Sequence, residues 1–390
     1  MESRLEVGES RLLNVRQLLE LEFEIPQFQR PYDWNDAQID DFIRDLDECK
    51  RTRIPLFLGL VVLHVAQGRF AIIDGQQRLT TLMLALANGH AEAVLRAENG
   101  PRRPWIRPRS DDVDYTTALL AGHPQVPTTL SQWLLKRACQ RLAEGALDLQ
   151  TVLDCEVIAY VAPSLAGATR LFERINLRGK MVCEFDLVKN KLIELAAQER
   201  SENARLELEE LITRRYDTLY RILDPKHHGP AYDSDKLLRQ HWILFSSSQF
   251  KSGQHVLERF NAWMEESTPE RGVSRCIEDY LTTLVQVAQV WIQVERPYTV
   301  GRGIYCEALY KALLDFTKVG RESEMQPLII AAILKWGNDA TKVVRFCEVS
   351  SLRAALAKKR TNYGRAVKWR LARQLFAHKL IDGRGHLGQR

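Results

Sequence analysis

The chain has 390 residues, with 55 Lys and Arg against 50 Asp and Glu, a formal net charge of +5, and 45% hydrophobic and 27% charged residues. That excludes a disordered polyelectrolyte and leaves room for two or three domains with sizeable cores. The longest apolar run, Leu56 to Val65, reaches about half of the roughly 20 residues that span a bilayer; the N-terminus has no apolar secretory stretch; and seven scattered cysteines without a CxxC pair read as free thiols of a reducing cytoplasm.

In chain order, Asn14 to Leu21 shows a short helical pattern, and Phe23 to Ile25 reads as extended before Pro26. Asn35 with Gln38 has capping-box spacing and opens a helix whose Ile39, Phe42, Ile43 and Leu46 share one apolar face. Leu56–Val65, a Gln67-Gly68 turn and Arg69–Ile73 predict a β-hairpin. Asp74-Gly75 ends the second strand, and Gln76 to Ala87 reads as a helix stopped by Asn88-Gly89. Five prolines and two glycines between 98 and 128 predict a loop or irregular insertion. A helix near 131–143 follows, then a strand over Thr151–Ala162, then a helix capped by Ser164 that runs to about Arg174. After the turn Asn176-Leu177-Arg178-Gly179, Asp186 is a plausible cap for a further helix, and from there the pattern is almost wholly helical. A mixed α+β domain over 1–195 followed by an all-helical domain over 196–390 is the simplest account.

Ile72-Ile73-Asp74-Gly75-Gln76-Gln77-Arg78 places a carboxylate, a glycine, two amides and a guanidinium at a strand-to-helix junction. Gly75 lets backbone approach a ligand, and the opening N–H groups of the next helix face it with the positive end of the helix dipole. Arg78 suits phosphate, Asp74 could hold a divalent metal, and Gln76 or Gln77 could position water beside a phosphoryl group. The competing reading is that Asp74 only caps the helix while Gln76, Gln77 and Arg78 sit on a solvated first turn. A second segment, Ile25-Pro26-Gln27-Phe28-Gln29-Arg30-Pro31-Tyr32-Asp33-Trp34, fixes an extended backbone between two prolines beside three aromatics, either as a ligand cradle or as a packed, Pro-stiffened loop.

The two segments together, with FLGLVVL between them and with FERINLRG followed by DLVKN further on, resemble the N-terminal module of GmrSD-type modification-dependent restriction systems, also seen in the SspE and BrxU phage-defence proteins. The resemblance implies a ParB/sulfiredoxin-like α+β fold in which Asp74, Gly75, Gln76, Gln77 and Arg78 bind and hydrolyse a nucleoside triphosphate (GTP, ATP or UTP) with Mg²⁺, the metal falling to Asp74. It further implies Gln29, Arg30, Tyr32 and Thr80 in the same pocket. Asn176, Arg178, Asp186 and Lys189 are additional candidates that a capped helix after a glycine turn explains almost as well. The partners implied are DNA, including modified DNA, and a separately encoded HNH-type nuclease subunit; a homo-oligomer is compatible, and a non-catalytic ParB-like DNA-binding module is the alternative.

This chain lacks the His-Ile-x-Pro signature of an HNH domain; His227-His228-Gly229-Pro230 is the nearest string. It also lacks a Walker A motif, so any hydrolysis is not P-loop chemistry. The net charge conceals a division: Arg353–Arg390 carries 11 basic residues against Asp382 alone, so the remainder is net acidic. Lys358, Lys359, Arg360, Arg365, Lys368, Arg370 and Arg373, interleaved with Tyr363, Trp369 and Phe376, are candidates for DNA-backbone contact. A solvated helix face or a docking surface for an acidic partner is the competing reading.

Overall fold

The computed structural model describes residues 5–66, 68–96, 102–123, 125–176, 183–199, 201–224, 232–246, 255–319, 324–358 and 364–386. The chain divides into two compact units, the first comprising Met1–Val182, Lys189–Tyr220 and Asp224–Ala231, the second Cys183–Val188, Arg221–Leu223 and Tyr232–Arg390.

The first unit is built on a sheet. Its strands are β1 (Ser10–Asn14), β2 (Phe23–Glu24), β3 (Phe57–Ala66), β4 (Arg69–Asp74), β5 (Leu95–Arg96), β6 (Arg103–Pro104), β7 (Ile106–Arg107) and β8 (Glu156–Ala162). Six of them form one mixed sheet in the order β1-β8-β3-β4-β2-β7, while β5 and β6 make a separate antiparallel ladder. The expected hairpin is present as the antiparallel pair β3 and β4, and Gly68 takes a left-handed φ of 78° at its turn; Gln67 lies outside the described residues. β2 pairs in parallel with both β4 and β7, and β3 in parallel with β8.

The helices of this unit are α1 (Val15–Leu18), α2 (Asp36–Thr52), α3 (Gln76–Val94), α4 (Val113–Leu120), α5 (Leu130–Glu144), α6 (Leu149–Leu153), α7 (Leu165–Asn176), most of α8 (Glu184–Ala196) and all but the last turn of α9 (Glu202–Leu223). Asn35 and Gln38 close the expected capping box of α2, and Ile39, Phe42 and Leu46 are buried as the spacing required. α3 is apolar nearly all round, with Leu79, Leu82, Leu84 and Leu86 fully buried, as a helix enclosed on all sides must be. Its regular part ends where expected, since Asn88, Gly89 and His90 leave helical geometry.

Several expectations change. The strand pattern of 10–14 was hidden by alternating polar residues, yet β1 pairs with β8 at the sheet edge and Asn14 caps only the four-residue α1. Thr151–Leu153 is helical rather than extended because Asp148 caps α6 by accepting from the Thr151 N–H at 2.9 Å, and the strand begins at Glu156. The stretch 98–128 is not merely irregular: it contains β6, β7, a 3₁₀ turn over Ser110–Asp112 and α4, whose Tyr115, Leu119 and Leu120 join the core. Asp186 stands inside the first turn of α8, which starts at Glu184, and so does not cap it. The boundary drawn at 195/196 falls inside the first unit, because Lys189 of α8 is buried against Phe28 and against Tyr216 and Tyr220 of α9.

The second unit is helical, with α10 (Ser234–Phe245), α11 (Val256–Arg271), α12 (Val273–Glu295), α13 (Pro297–Val300), α14 (Glu307–Lys318), α15 (Gln326–Trp336), α16 (Thr341–Leu356) and α17 (Arg365–His386). α12 is its axis, burying Ile277, Tyr280, Leu281, Leu284, Ala288 and Trp291. The sheet-bearing N-terminal part followed by helices is an α+β architecture. No helix among the described residues is long and apolar enough to cross a membrane.

Candidate functional site

Two sequence segments far apart in the chain are clipped together at the start of α3. The Gln76 side chain donates through Nε2 to the Arg30 carbonyl at 3.0 Å, and Gln77 donates to the Pro31 carbonyl at 3.1 Å while accepting from the Asp33 N–H at 3.1 Å. Gln29 returns the contact, donating to the Ile73 carbonyl at 2.7 Å, and the Tyr32 hydroxyl meets Thr81 Oγ1 at 2.8 Å. The segment is not extended as expected: Pro26 opens a turn closed by the Gln29 N–H on the Pro26 carbonyl at 2.9 Å, and the Arg30 and Pro31 carbonyls beyond it accept from the paired glutamines. Burial pushes the Tyr32 phenol well above its ordinary range, and the bond to Thr81 draws it only part of the way back.

The motif residues separate onto two faces of the junction. Gly75 adopts φ +93°, and a Cβ there would come within 3.0 Å of Val61 Cγ2, so only glycine turns the chain here. Asp74 accepts from the Gly75 N–H at 2.7 Å and lies 3.5 Å from Arg78 Nη2. Arg78 is turned toward β3, donating to the Leu58 carbonyl at 2.5 Å and the Leu60 carbonyl at 2.9 Å. Those carbonyls are available because β3 breaks register with β8 between Phe57 and Leu60, at Gly59 with φ +93°. Burial raises the Asp74 carboxyl above its usual range, and Arg78 draws it back down.

On the other face, Gln76, Gln77 and Thr80 line a small cleft together with Arg30, Tyr32, Arg109, Asp112 and Thr116. Three atoms of these residues are buried without a hydrogen-bond partner: Gln76 Oε1, Arg109 Nε and Thr116 Oγ1. An acceptor, a donor and a hydroxyl left open around one cleft are what a polar ligand or ordered water would complete. Arg109 is otherwise fixed, donating to Asp217 Oδ1 at 2.8 Å with its guanidinium 5.5 Å from the Tyr220 ring centroid. Asp112 accepts from Ser131 Oγ at 3.3 Å and Gln132 Nε2 at 3.4 Å; burial raises its carboxyl pKa.

The expected residues are therefore placed as follows. Gln29, Arg30, Tyr32, Gln76, Gln77 and Thr80 come together with Asp74, Gly75 and Arg78, although Gln29, Gln77 and Arg78 spend their polar groups on backbone. Lys189 donates to the Phe28 carbonyl at 3.2 Å, so the second sequence block supports the first. Asn176 ends α7, but its side chain, Arg178 and the His227-His228 string lie outside the described residues. Arg109, Asp112 and Thr116 were missed because prolines dominate their stretch; the run Ser110-Asp111-Asp112 before an apolar helical pattern was the available signal. Among the described residues no group of three or more His, Cys, Asp or Glu could hold a metal by itself.

The C-terminal candidates fare differently. Arg365 is held by Glu324 through two contacts of 2.8 and 2.6 Å and lies 5.2 Å from the Trp369 ring centroid. Burial lowers the Lys368 and Arg373 pKa values, Lys358 and Arg370 are exposed, and Lys359 and Arg360 lie outside the described residues.

Comparison with curated proteins gives no match for the chain. Residues 11–193, the span that carries both clipped segments, match the family model of the GmrSD restriction endonuclease, N-terminal domain.

Proposed function

We propose that this protein binds and hydrolyses a nucleoside triphosphate at the start of α3 and that the nucleotide state governs a separately encoded HNH-type nuclease acting on DNA, including modified DNA. The observation that carries the reading is the cleft beside Gln76 in which Gln76 Oε1, Arg109 Nε and Thr116 Oγ1 are buried without partners. In this reading the first N–H groups of α3 meet phosphate oxygens. Asp74, beside Gly75 and Arg78 on the other face of the junction, would be the hard oxygen ligand for Mg²⁺. Gln76 Oε1, buried without a partner, would be the acceptor that orients a water. GTP, ATP and UTP are the substrates to compare.

The test is phosphate release by the purified chain with Mg²⁺ and each triphosphate, against Asp74→Asn and Thr116→Val. Asp74→Asn should abolish turnover while leaving binding measurable, and Thr116→Val should weaken binding. Wild-type turnover no greater than that of Asp74→Asn would remove the enzymatic claim.

One observation favours the second reading, a non-catalytic DNA-binding module with nucleotide as a structural ligand or absent. The Arg78 guanidinium is already committed to two backbone carbonyls and to Asp74. DNA binding that persists in Asp74→Asn and does not respond to nucleotide would decide for it.

A further inference from the structure

The expected insertion carries a charge arrangement that the cleft beside Gln76 does not use. Two adjoining open clefts share Arg103, Pro104 and Arg107. The first adds Arg69 and Arg96, the second Arg102. Two of these arginines are occupied: Arg69 Nε lies 3.1 Å from Glu22 Oε2, and Arg96 donates to the Leu19 carbonyl. Arg102, Arg103 and Arg107 are exposed and make no ion pair among the described residues, although Asp114 lines the second cleft and Glu24 stands opposite Arg107 in the β2–β7 pairing.

The backbone beneath them is rigid. Trp105 is buried, its ring edge-on to Phe23 at 5.7 Å, its indole N–H donating to the Leu21 carbonyl at 3.1 Å and its backbone N–H to the Val94 carbonyl at 2.7 Å. The ladder on which the arginines stand pairs Arg96 directly with Arg103. Like charges directly opposite on a two-stranded ladder destabilise it, and the fold nonetheless anchors both ends. Guanidiniums that outnumber the carboxylates beside them suit an anion that is itself repeated. The spread of the three free arginines over two open clefts favours a chain of phosphates over a single one.

We infer that Arg102, Arg103 and Arg107, flanked by Arg69 and Arg96, form a binding surface for the phosphate backbone of duplex DNA on the sheet-bearing unit. The surface reads charge and not sequence, because phosphate contacts position a duplex without specifying bases. This inference is independent of nucleotide hydrolysis at α3.

The experiment is fluorescence anisotropy of a short labelled duplex with the full chain, titrated across a range of KCl concentrations, for wild type, the triple Arg→Ala variant at 102, 103 and 107, and the corresponding triple Arg→Lys variant. Each phosphate contact contributes about 0.9 to the log–log salt slope. The triple Ala variant should therefore lose up to about 2.7 from the slope and bind at least about tenfold more weakly at low salt, while the Lys variant stays near wild type. Arg107→Gln alone, with a loss of about 0.9, serves if the triple variant does not fold. Wild-type affinity and slope in a folded Ala variant would overturn the proposal, as would a wild-type chain with no duplex affinity at low salt. Loss of mononucleotide binding with duplex binding intact would overturn it in favour of a nucleotide site.

Discussion

The two units differ in the polar chemistry they bury. The sheet-bearing unit keeps ions inside: Arg109 with Asp217, Asp112 against Ser131 and Gln132, Lys189 among three rings, and Asp224 accepting from the Leu130 N–H at 3.1 Å. The helical unit buries an aromatic cluster of Trp242, Phe245, Phe260, Trp263 and Tyr280, with His241 stacked inside it. His241 Nε2 lies 2.9 Å from Thr283 Oγ1, a hydroxyl that also reaches backbone carbonyls. That pattern puts the ring proton on Nε2 and leaves Nδ1 bare. Buried ions are costly unless they are paired, and the helical unit's own buried carboxylate, Glu324, is held by Arg365.

The comparison breaks most sharply at Arg109. Arg109→Ala should destabilise the protein by about 3 kcal/mol in urea unfolding, because Asp217 is left without its guanidinium in a partly buried position. A loss below about 1 kcal/mol would show that this ion is not structural. Gly59→Ala comes next, with an expected loss of about 2 kcal/mol. The new Cβ would lie 2.5 Å from Arg78 Nη1 at a left-handed φ, so the β3 carbonyls and Arg78 must part. An unchanged midpoint would mean that the Arg78 clamp is slack.

Acid and base should act on the two units in opposite senses. Burial lowers the His241 pKa to about 3 from its ordinary 6.5. The unfolded chain therefore binds the extra proton below about pH 6.5, and the helical unit loses up to about 1.4 kcal/mol per pH unit as the solution is acidified. Burial, with Asp112 nearby, raises the Asp224 carboxyl to about 6 from 3.8. Here the folded state holds the extra proton, so that contribution is full below about pH 4 and is lost as pH rises through about 6. Asp224→Asn should flatten the pH 4–6 portion of the melting profile and raise stability at pH 7.5 by about 1–2 kcal/mol. A pH 4–6 profile identical to wild type would refute the assignment. The smallest effect is expected at Tyr280, whose hydroxyl is buried without a partner: Tyr280→Phe should be neutral or stabilising by up to about 1 kcal/mol. A loss above that would reveal an ionic or hydrogen-bonded role within the aromatic unit.

What the sequence made legible is local. The Asn35–Gln38 box, the hairpin, the Gly75 junction and the stop at Asn88-Gly89 depend on residues within about one turn of each other, where spacing and side-chain chemistry suffice. The order of the GmrSD-type segments likewise placed 25–34 and 74–78 in one site. Residue type alone did not reveal how each motif group is used: Arg78 looks like a phosphate ligand in sequence, yet its first obligation is to the Leu58 and Leu60 carbonyls exposed by the Gly59 bulge.

The longer-range decisions belong to tertiary structure. Arg109 meets an aspartate 108 residues away, and Gln29 meets a carbonyl 44 residues away. The insertion supplies both a wall of the cleft and the unpaired arginines, although in sequence its prolines read only as irregularity. The C-terminal run stands out by charge density, but Glu324 neutralises Arg365 at its start. Sequence determined which chemical groups are available and which neighbours cap or turn the chain. The fold decided which charges find partners and which stay open, because desolvation and pairing depend on distances that close only when remote segments pack.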